Sequence, residues 1–96
     1  MQKISMDRVC KQMYDRNEAR LDEAFEQGRM YLPYSFDKFQ KDMMADGFIA
    51  SFPTVRSKWL AVVGAGLVTE SDGSNTFFFD VRALRDRLEA AKRVTA

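Results

Sequence analysis

Two closely spaced glycines, Gly64 and Gly66, are the residues of this sequence most similar to a phosphate-binding loop. Dinucleotide-binding loops place such glycines after a strand and at the start of a helix, where backbone N–H groups meet a phosphate. Here the glycines follow a helical pattern and precede LVTE, which is strand-like. Gly66 therefore suits the position after a helix, where positive φ is common. The pair predicts a helix end, and no nucleotide cofactor is expected.

Acidic and thiol side chains are the other candidates for catalysis or metal binding. Asp22 and Glu23 are adjacent, so they would point in different directions from a helix. Asp42 and Asp46 would share a helical face, but two carboxylates alone bind a metal weakly. Cys10 is the single cysteine and the chain has no histidine, which excludes Cys/His zinc sites and triads with a histidine base. No enzyme activity, metal or cofactor is predicted.

Composition places the chain among small globular proteins. Its 96 residues suit one domain over 1–96, and 46% of them are hydrophobic, which is enough to form a core. The formal net charge of +1 gives no strong attraction toward nucleic acid or an anionic membrane. No apolar run approaches the ~20 residues that span a bilayer, and the opening MQKISMDRVCKQ becomes polar too early for a signal peptide. With one cysteine, a reduced cytoplasm is the expected location.

Hydrophobic spacing and capping residues predict a helical chain with a small sheet. Serine, aspartate or proline at the start of apolar repeats, and glycine after them, mark the helix ends. Asp72-Gly73 between two apolar runs indicates a hairpin turn. The predicted elements in chain order are a helix over 5–27, an extended segment over 30–34, helices over 36–46 and 53–65, strands over 67–70 and 76–79, and a helix over 81–93.

Asn17 interrupts the apolar face of the first predicted helix, which includes Cys10, Met13 and Leu21. Two interpretations are open. Asn17 is either a solvated or capping position near the rim of the face, or a polar residue that sets the register of a dimer seam. The first keeps it at the surface of one chain, and the second places it between two chains.

The third predicted helix has the most specific pattern. Thr54-Val55 is followed by Trp59 and Val62, four and seven residues after the valine, and then by Ala65-Gly66-Leu67-Val68. This pattern and the hairpin after it resemble the third helix and wing of winged helix-turn-helix domains. The resemblance implies an α+β, mostly helical fold with a winged-helix core over 30–80. An N-terminal helix within 1–29 and a C-terminal helix within 81–96 would flank that core.

The resemblance also implies a function. In DNA-binding winged helices the outward face of the third helix enters the major groove, and a dimeric transcriptional regulator would place two such helices in successive grooves. Thr54, Ser57, Lys58 and Ala61 would lie on that face, with Arg56 on its flank. The polar tip of the wing would touch the DNA backbone or minor groove. The predicted DNA-binding residues are Thr54, Arg56, Ser57, Lys58, Ser74 and Asn75.

An alternative interpretation keeps the fold and changes the partner. Leu60 and Val63 are apolar near the outward face, which suggests burial against another surface, and the acidic wing residues Glu70 and Asp72 would repel phosphates. Phe78 is expected to lie under a terminal helix. A protein-interaction or inhibitory module, such as an accessory factor of a phage or mobile element, fits these features. Two amphipathic terminal helices also favour a homodimer. The predicted dimer or partner interface is Met13, Leu21, Leu60, Val63, Leu84 and Leu88.

Overall fold

The computed structural model describes residues 4–71 and 76–95, with side chains as far as Lys92. These residues form five α-helices and one three-stranded antiparallel sheet. The predicted α+β, mostly helical class is therefore confirmed. The helices are α1 (Met6–Arg16), α2 (Glu18–Gln27), α3 (Phe36–Met44), α4 (Phe52–Gly64) and α5 (Val81–Thr95). The strands are β1 (Tyr31–Pro33), β2 (Val68–Glu70) and β3 (Phe77–Asp80).

The first predicted helix is two helices, α1 and α2, which are separated at Asn17. This residue leaves helical geometry (φ −131°, ψ 22°), and its side-chain Nδ2 donates to the Met13 carbonyl at 2.8 Å. The side chain thereby takes a carbonyl that a continuing helix would use, and the Asn17 N–H donates to the Tyr14 carbonyl instead. Asn17 is only 4% exposed within one chain. Asn17 therefore occupies a capping position, at the end of α1 and the start of α2, as one interpretation expected. It is neither solvated at a rim nor available to a second chain, because it is buried within one chain.

Asp42 is the residue that holds Asn17 in the core. Its fully buried carboxylate accepts hydrogen bonds from Asn17 Nδ2 at 2.9 Å, the Tyr34 hydroxyl at 2.8 Å and Lys38 Nζ at 2.7 Å. Burial, and then the charge of Asp42, raise the pKa of Tyr34 well above its usual value, so this hydroxyl stays protonated and donating. We call these four residues the Asp42 cluster. It joins the α1–α2 junction to α3 and to the end of β1.

Helix α3 ends earlier than predicted, at Met44, and is followed by a single 3₁₀ turn over Ala45–Gly47. Asp46 adopts positive φ (56°) in that turn, and Gly47 does the same (70°). Asp46 is exposed and lies 3.9 Å from Arg16, whereas Asp42 is buried. The prediction that the two aspartates share one helical face is therefore wrong.

Helix α4 lies within one residue of its predicted boundaries, 53–65, and has the inner face that its sequence predicts. Ser51 Oγ accepts the Thr54 backbone N–H at 3.3 Å, and proline occupies the first turn, where its missing N–H has no cost. Gly66 ends the helix with φ of 79°, as expected for the residue that reverses the chain. The inward residues, all buried, are Val55, Trp59 and Val62.

Strand β3 lies at the centre of the sheet, whose order is β1-β3-β2. Phe79 lies opposite Leu32 on one side and Val68 on the other, and its buried ring stacks on Tyr34 with centroids 3.9 Å apart. Phe78 is half-buried on the opposite face of the sheet. The prediction that Phe78 lies under a terminal helix is wrong, because a shallow cavity beside it is lined by sheet and turn residues. They are Tyr31, Thr69, Glu70 and Ser71.

The terminal helices pack against each other within one chain. Asp80 Oδ1 accepts the Ala83 N–H at 3.0 Å and so caps α5, and Arg87 Nε on α5 donates to Asp7 Oδ1 on α1 at 2.8 Å. Apolar side chains from α1, α2 and α5 meet below these contacts in the same core. Met13, Leu21 and Leu84 are fully buried there. These three predicted interface residues are core residues, so they are not available to a partner chain.

Candidate functional site

The outward face of α4 is centred on Arg56, Ser57 and Leu60, all of which are exposed. Thr54 and Lys58 lie at its sides and are partly buried, so they are less exposed than these three residues. Thr54, Lys58 and Ala61, which were predicted on this face, are therefore less exposed than Arg56, which was predicted on its flank. Val55, Trp59 and Val62 fix the inward side, and with 3.6 residues per turn Ser57 lies opposite to them, Leu60 lies beside Ser57, and Arg56 lies at about a right angle to the inward side.

The charge of this face is uniform. No acidic residue lies between Asp46 and Glu70 in the sequence. Within the described part of the chain, neither Arg56 nor Lys58 takes part in an ion pair. Both cations are therefore available to an anionic partner. Thr54 is less available, because its hydroxyl lies 3.2 Å from Ser51 Oγ in a side-chain hydrogen bond.

An apolar groove of about 360 Å³ runs beside this face. Leu60 is 64% exposed and Phe52 45% exposed, and both are among the large apolar side chains that the described structure leaves in solvent. The Phe36 ring meets Phe52 edge-on at 6.0 Å between centroids, which holds the Phe52 ring in place. The groove is lined by Phe36, Phe52, Arg56, Trp59 and Leu60. The expected burial of Leu60 does not occur within one chain.

A second, wider cavity of about 630 Å³ adjoins the groove, since Phe36 lines both. Arg20 and Lys38 lie along it, together with Thr76 at the start of β3. Arg20 donates to the Pro33 carbonyl at 3.2 Å, and Lys38 is bound to Asp42. Sequence patterns do not indicate these two cations, because they come from different helices and lie near each other only in the folded chain. Asp37 lines the same cavity and Lys38 is paired with Asp42, so Arg20 is the cation of this cavity that has no carboxylate partner among the described residues.

Some of the remaining predicted site residues lie in the described part of the chain and others do not. Ser74 and Asn75 lie outside the described residues. Glu70 is exposed at the end of β2. Val63 and Leu88 are half-buried against the core, and Leu88 lines a groove between α1 and α5. Of the six predicted interface residues, Leu60 is the one that is clearly exposed.

Groups that would suit catalysis are not brought together. Burial raises the pKa of the Cys10 thiol to about 11, so the thiol is protonated and unreactive near neutral pH. Among residues 4–71 and 76–95, no group of three or more Cys, Asp or Glu side chains is placed to hold a metal ion. None of the described helices is long and apolar enough to cross a bilayer.

Compared with protein-family models, curated proteins and solved structures, the chain matches none. Any proposal about its function therefore depends on its own geometry and chemistry. The surface with the most distinct chemistry is the outward face of α4, with its free cations and the apolar groove beside them.

Proposed function

We propose that this protein is a winged-helix protein that binds duplex DNA through α4. Support for the fold comes from the order α2, β1, α3, α4, β2, β3 together with a sheet in which β3 lies between β1 and β2. The resemblance of the third helix and hairpin implied this order of elements from β1 onward, with a core over 30–80; it gave no sheet order. Support for the partner comes chiefly from one observation. Arg56 and Lys58 are unpaired on a helix that has no acidic residue.

The proposed mechanism places α4 in the major groove. Ser57 projects from the middle of the outward face and Arg56 from the side of it next to Trp59. A guanidinium can bind the O6 and N7 acceptors of guanine, and a hydroxyl can bond to any base. Lys58, at the side, would reach a phosphate and so fix the position of the helix without reading sequence. A small regulator of this kind would act by occupying a site that polymerase needs.

Binding to random DNA is expected to be weak and dependent on salt. The net charge is only +1, so attraction must come from the local cations of α4 and the adjoining cavity. About two to three phosphate contacts would reduce the affinity roughly 10- to 40-fold between about 50 and 200 mM salt. Fluorescence anisotropy of a labelled random-sequence duplex, titrated with protein at both salt concentrations, measures this change. Saturable binding that does not respond to salt would contradict phosphate contacts.

The protein-interaction module remains a second candidate because of one observation. Leu60 and Phe52 form an exposed apolar surface next to Arg56, and exposed patches of this kind also mark protein interfaces. The same titration separates the candidates. An absence of DNA binding at low salt, in a sample that is folded by circular dichroism, would favour a protein partner on this groove.

A further inference from the structure

Exposed Leu60 is the feature of α4 that general DNA affinity does not explain. Phe52, Arg56 and Leu60 are spaced four residues apart, so they form one row along the outward face. Phe52 is held against Phe36, but Leu60 is 64% exposed and extends past the groove into solvent. A single exposed leucine is common on protein surfaces, but Leu60 lies next to the unpaired Arg56 on a helix without acidic residues, where a ligand attracted by the cation would also cover the leucine. The row therefore presents a guanidinium with a free apolar side chain one turn further along the helix.

Duplex DNA offers one apolar group to such a side chain. In the major groove the bases present mainly hydrogen-bond donors and acceptors, and the apolar group among them is the 5-methyl group of thymine. The rise of four helical residues is about 6 Å, and successive base pairs are about 3.4 Å apart. A helix that places Arg56 at a guanine would therefore bring Leu60 to a base pair one or two steps away.

We propose that Leu60 is a specificity-determining residue that packs on a thymine methyl, one or two base pairs from a guanine bound by Arg56. This inference rests on the proposed DNA-binding function and adds the base composition of its target. The charge of the helix favours DNA as the ligand on this row, because Arg56 and Lys58 are unpaired and α4 has no acidic residue. Leu60 contributes sequence preference, and the cations contribute attraction to phosphates.

Replacing thymine with deoxyuridine tests the inference, because this change removes the methyl group and keeps the pairing. A random duplex pool is first enriched for sequences that the protein retains, and the best one is then prepared with thymine and with deoxyuridine. The wild-type protein is expected to bind the deoxyuridine duplex roughly four-fold more weakly for each methyl that is contacted. Leu60→Ala should bind both duplexes equally, since it has no side chain to pack on the methyl group.

Met30→Ala is the matched control. Met30 is 62% exposed, close to the value for Leu60, and its carbonyl accepts the Val81 N–H at 3.0 Å, which places it at the α5 end of β3. This variant should discriminate between the two duplexes as the wild-type protein does. Equal binding of both duplexes by the wild-type protein would overturn the inference, as would discrimination retained by Leu60→Ala. No binding to either duplex, or to the enriched pool, would instead refute the proposed function.

Discussion

Replacing Asp42 with alanine is expected to lower the free energy of unfolding by about 3–5 kcal/mol. The substitution removes the acceptor shared by Asn17 Nδ2, the Tyr34 hydroxyl and Lys38 Nζ. Asn17 and Tyr34 are themselves buried, so their donors would lose a partner in a place that water does not reach. Lys38 adds little to this cost, because its side chain is 40% exposed and its charge remains in contact with water. Urea denaturation followed by circular dichroism measures the change.

A milder substitution at the same position is needed in case Asp42→Ala does not fold. Asp42→Asn keeps the size of the side chain and one oxygen acceptor, so a smaller loss of about 1–3 kcal/mol is expected. Asp46→Asn is the matched control, because Asp46 is 90% exposed and lies 3.9 Å from Arg16, and asparagine tolerates the positive φ of this position. An exposed pair of this kind contributes about 0–1 kcal/mol. If Asp42→Ala were no more destabilising than Asp46→Asn, the Asp42 cluster would not hold α1, α2 and α3 together as described.

Replacing Trp59 with alanine is expected to cost about 3–5 kcal/mol, because it empties the centre of the aromatic core. The indole ring is 7% exposed. It lies 5.2 Å from the Phe39 ring and 5.1 Å from the Phe77 ring between centroids, so it joins α4 to both α3 and β3. Trp59→Phe retains part of this packing and should lose less. Thermal unfolding followed by circular dichroism compares the variants.

The neighbouring residue provides the control for Trp59. Leu60→Ala removes an apolar side chain from the solvent-facing side of the same helix, about 100° around the axis from Trp59, where it is 64% exposed. Its effect on the free energy of unfolding should be within about 0.5 kcal/mol, as for other surface positions. A large loss of stability in Leu60→Ala, with a small one in Trp59→Ala, would show that α4 is rotated relative to the core.

Local sequence rules predicted most of the elements because their signals lie within one turn of each helix end. Ser51 and Pro53 start α4 and Gly66 ends the turn after it, as their conformational preferences require. The spacing of Val55 and Trp59 also predicted the inward face. These features depend on neighbours in the sequence, so a single chain is enough to find them.

Features that depend on distant residues could not be predicted in this way. Asn17 and Asp42 are 25 positions apart, and no sequence periodicity indicates that the Asp42 carboxylate accepts a hydrogen bond from the Asn17 side-chain amide. Asn17 was therefore expected near the surface of a continuous helix, although it is buried at a break. The position of Arg20 beside Phe36 likewise exists only after α2 and α3 have packed. Leu60 was expected to be buried against another surface; no described part of the chain covers it, and its place in a partner interface stays a prediction.

The proposed function can be tested by comparing two double variants that remove the same positive charge from different parts of the surface. Arg56→Ala/Lys58→Ala removes the two unpaired cations of the helix. Arg29→Ala/Arg82→Ala removes two other exposed arginines, which take part in no ion pair within the described part of the chain. Arg29 and Arg82 flank the Met30 to Val81 hydrogen bond at the α5 end of β3, so they are distant from the start of that strand. Both double variants have the same formal net charge.

The affinity of these two double variants for one labelled duplex at low salt is the most direct test that α4 binds DNA. The account predicts that Arg56→Ala/Lys58→Ala binds at least ~10-fold more weakly than the wild-type protein, because a single good base contact contributes about 1–3 kcal/mol. Arg29→Ala/Arg82→Ala should lose much less. Equal losses in the two variants would mean that net charge alone attracts the DNA, and unchanged affinity of Arg56→Ala/Lys58→Ala would contradict binding through α4.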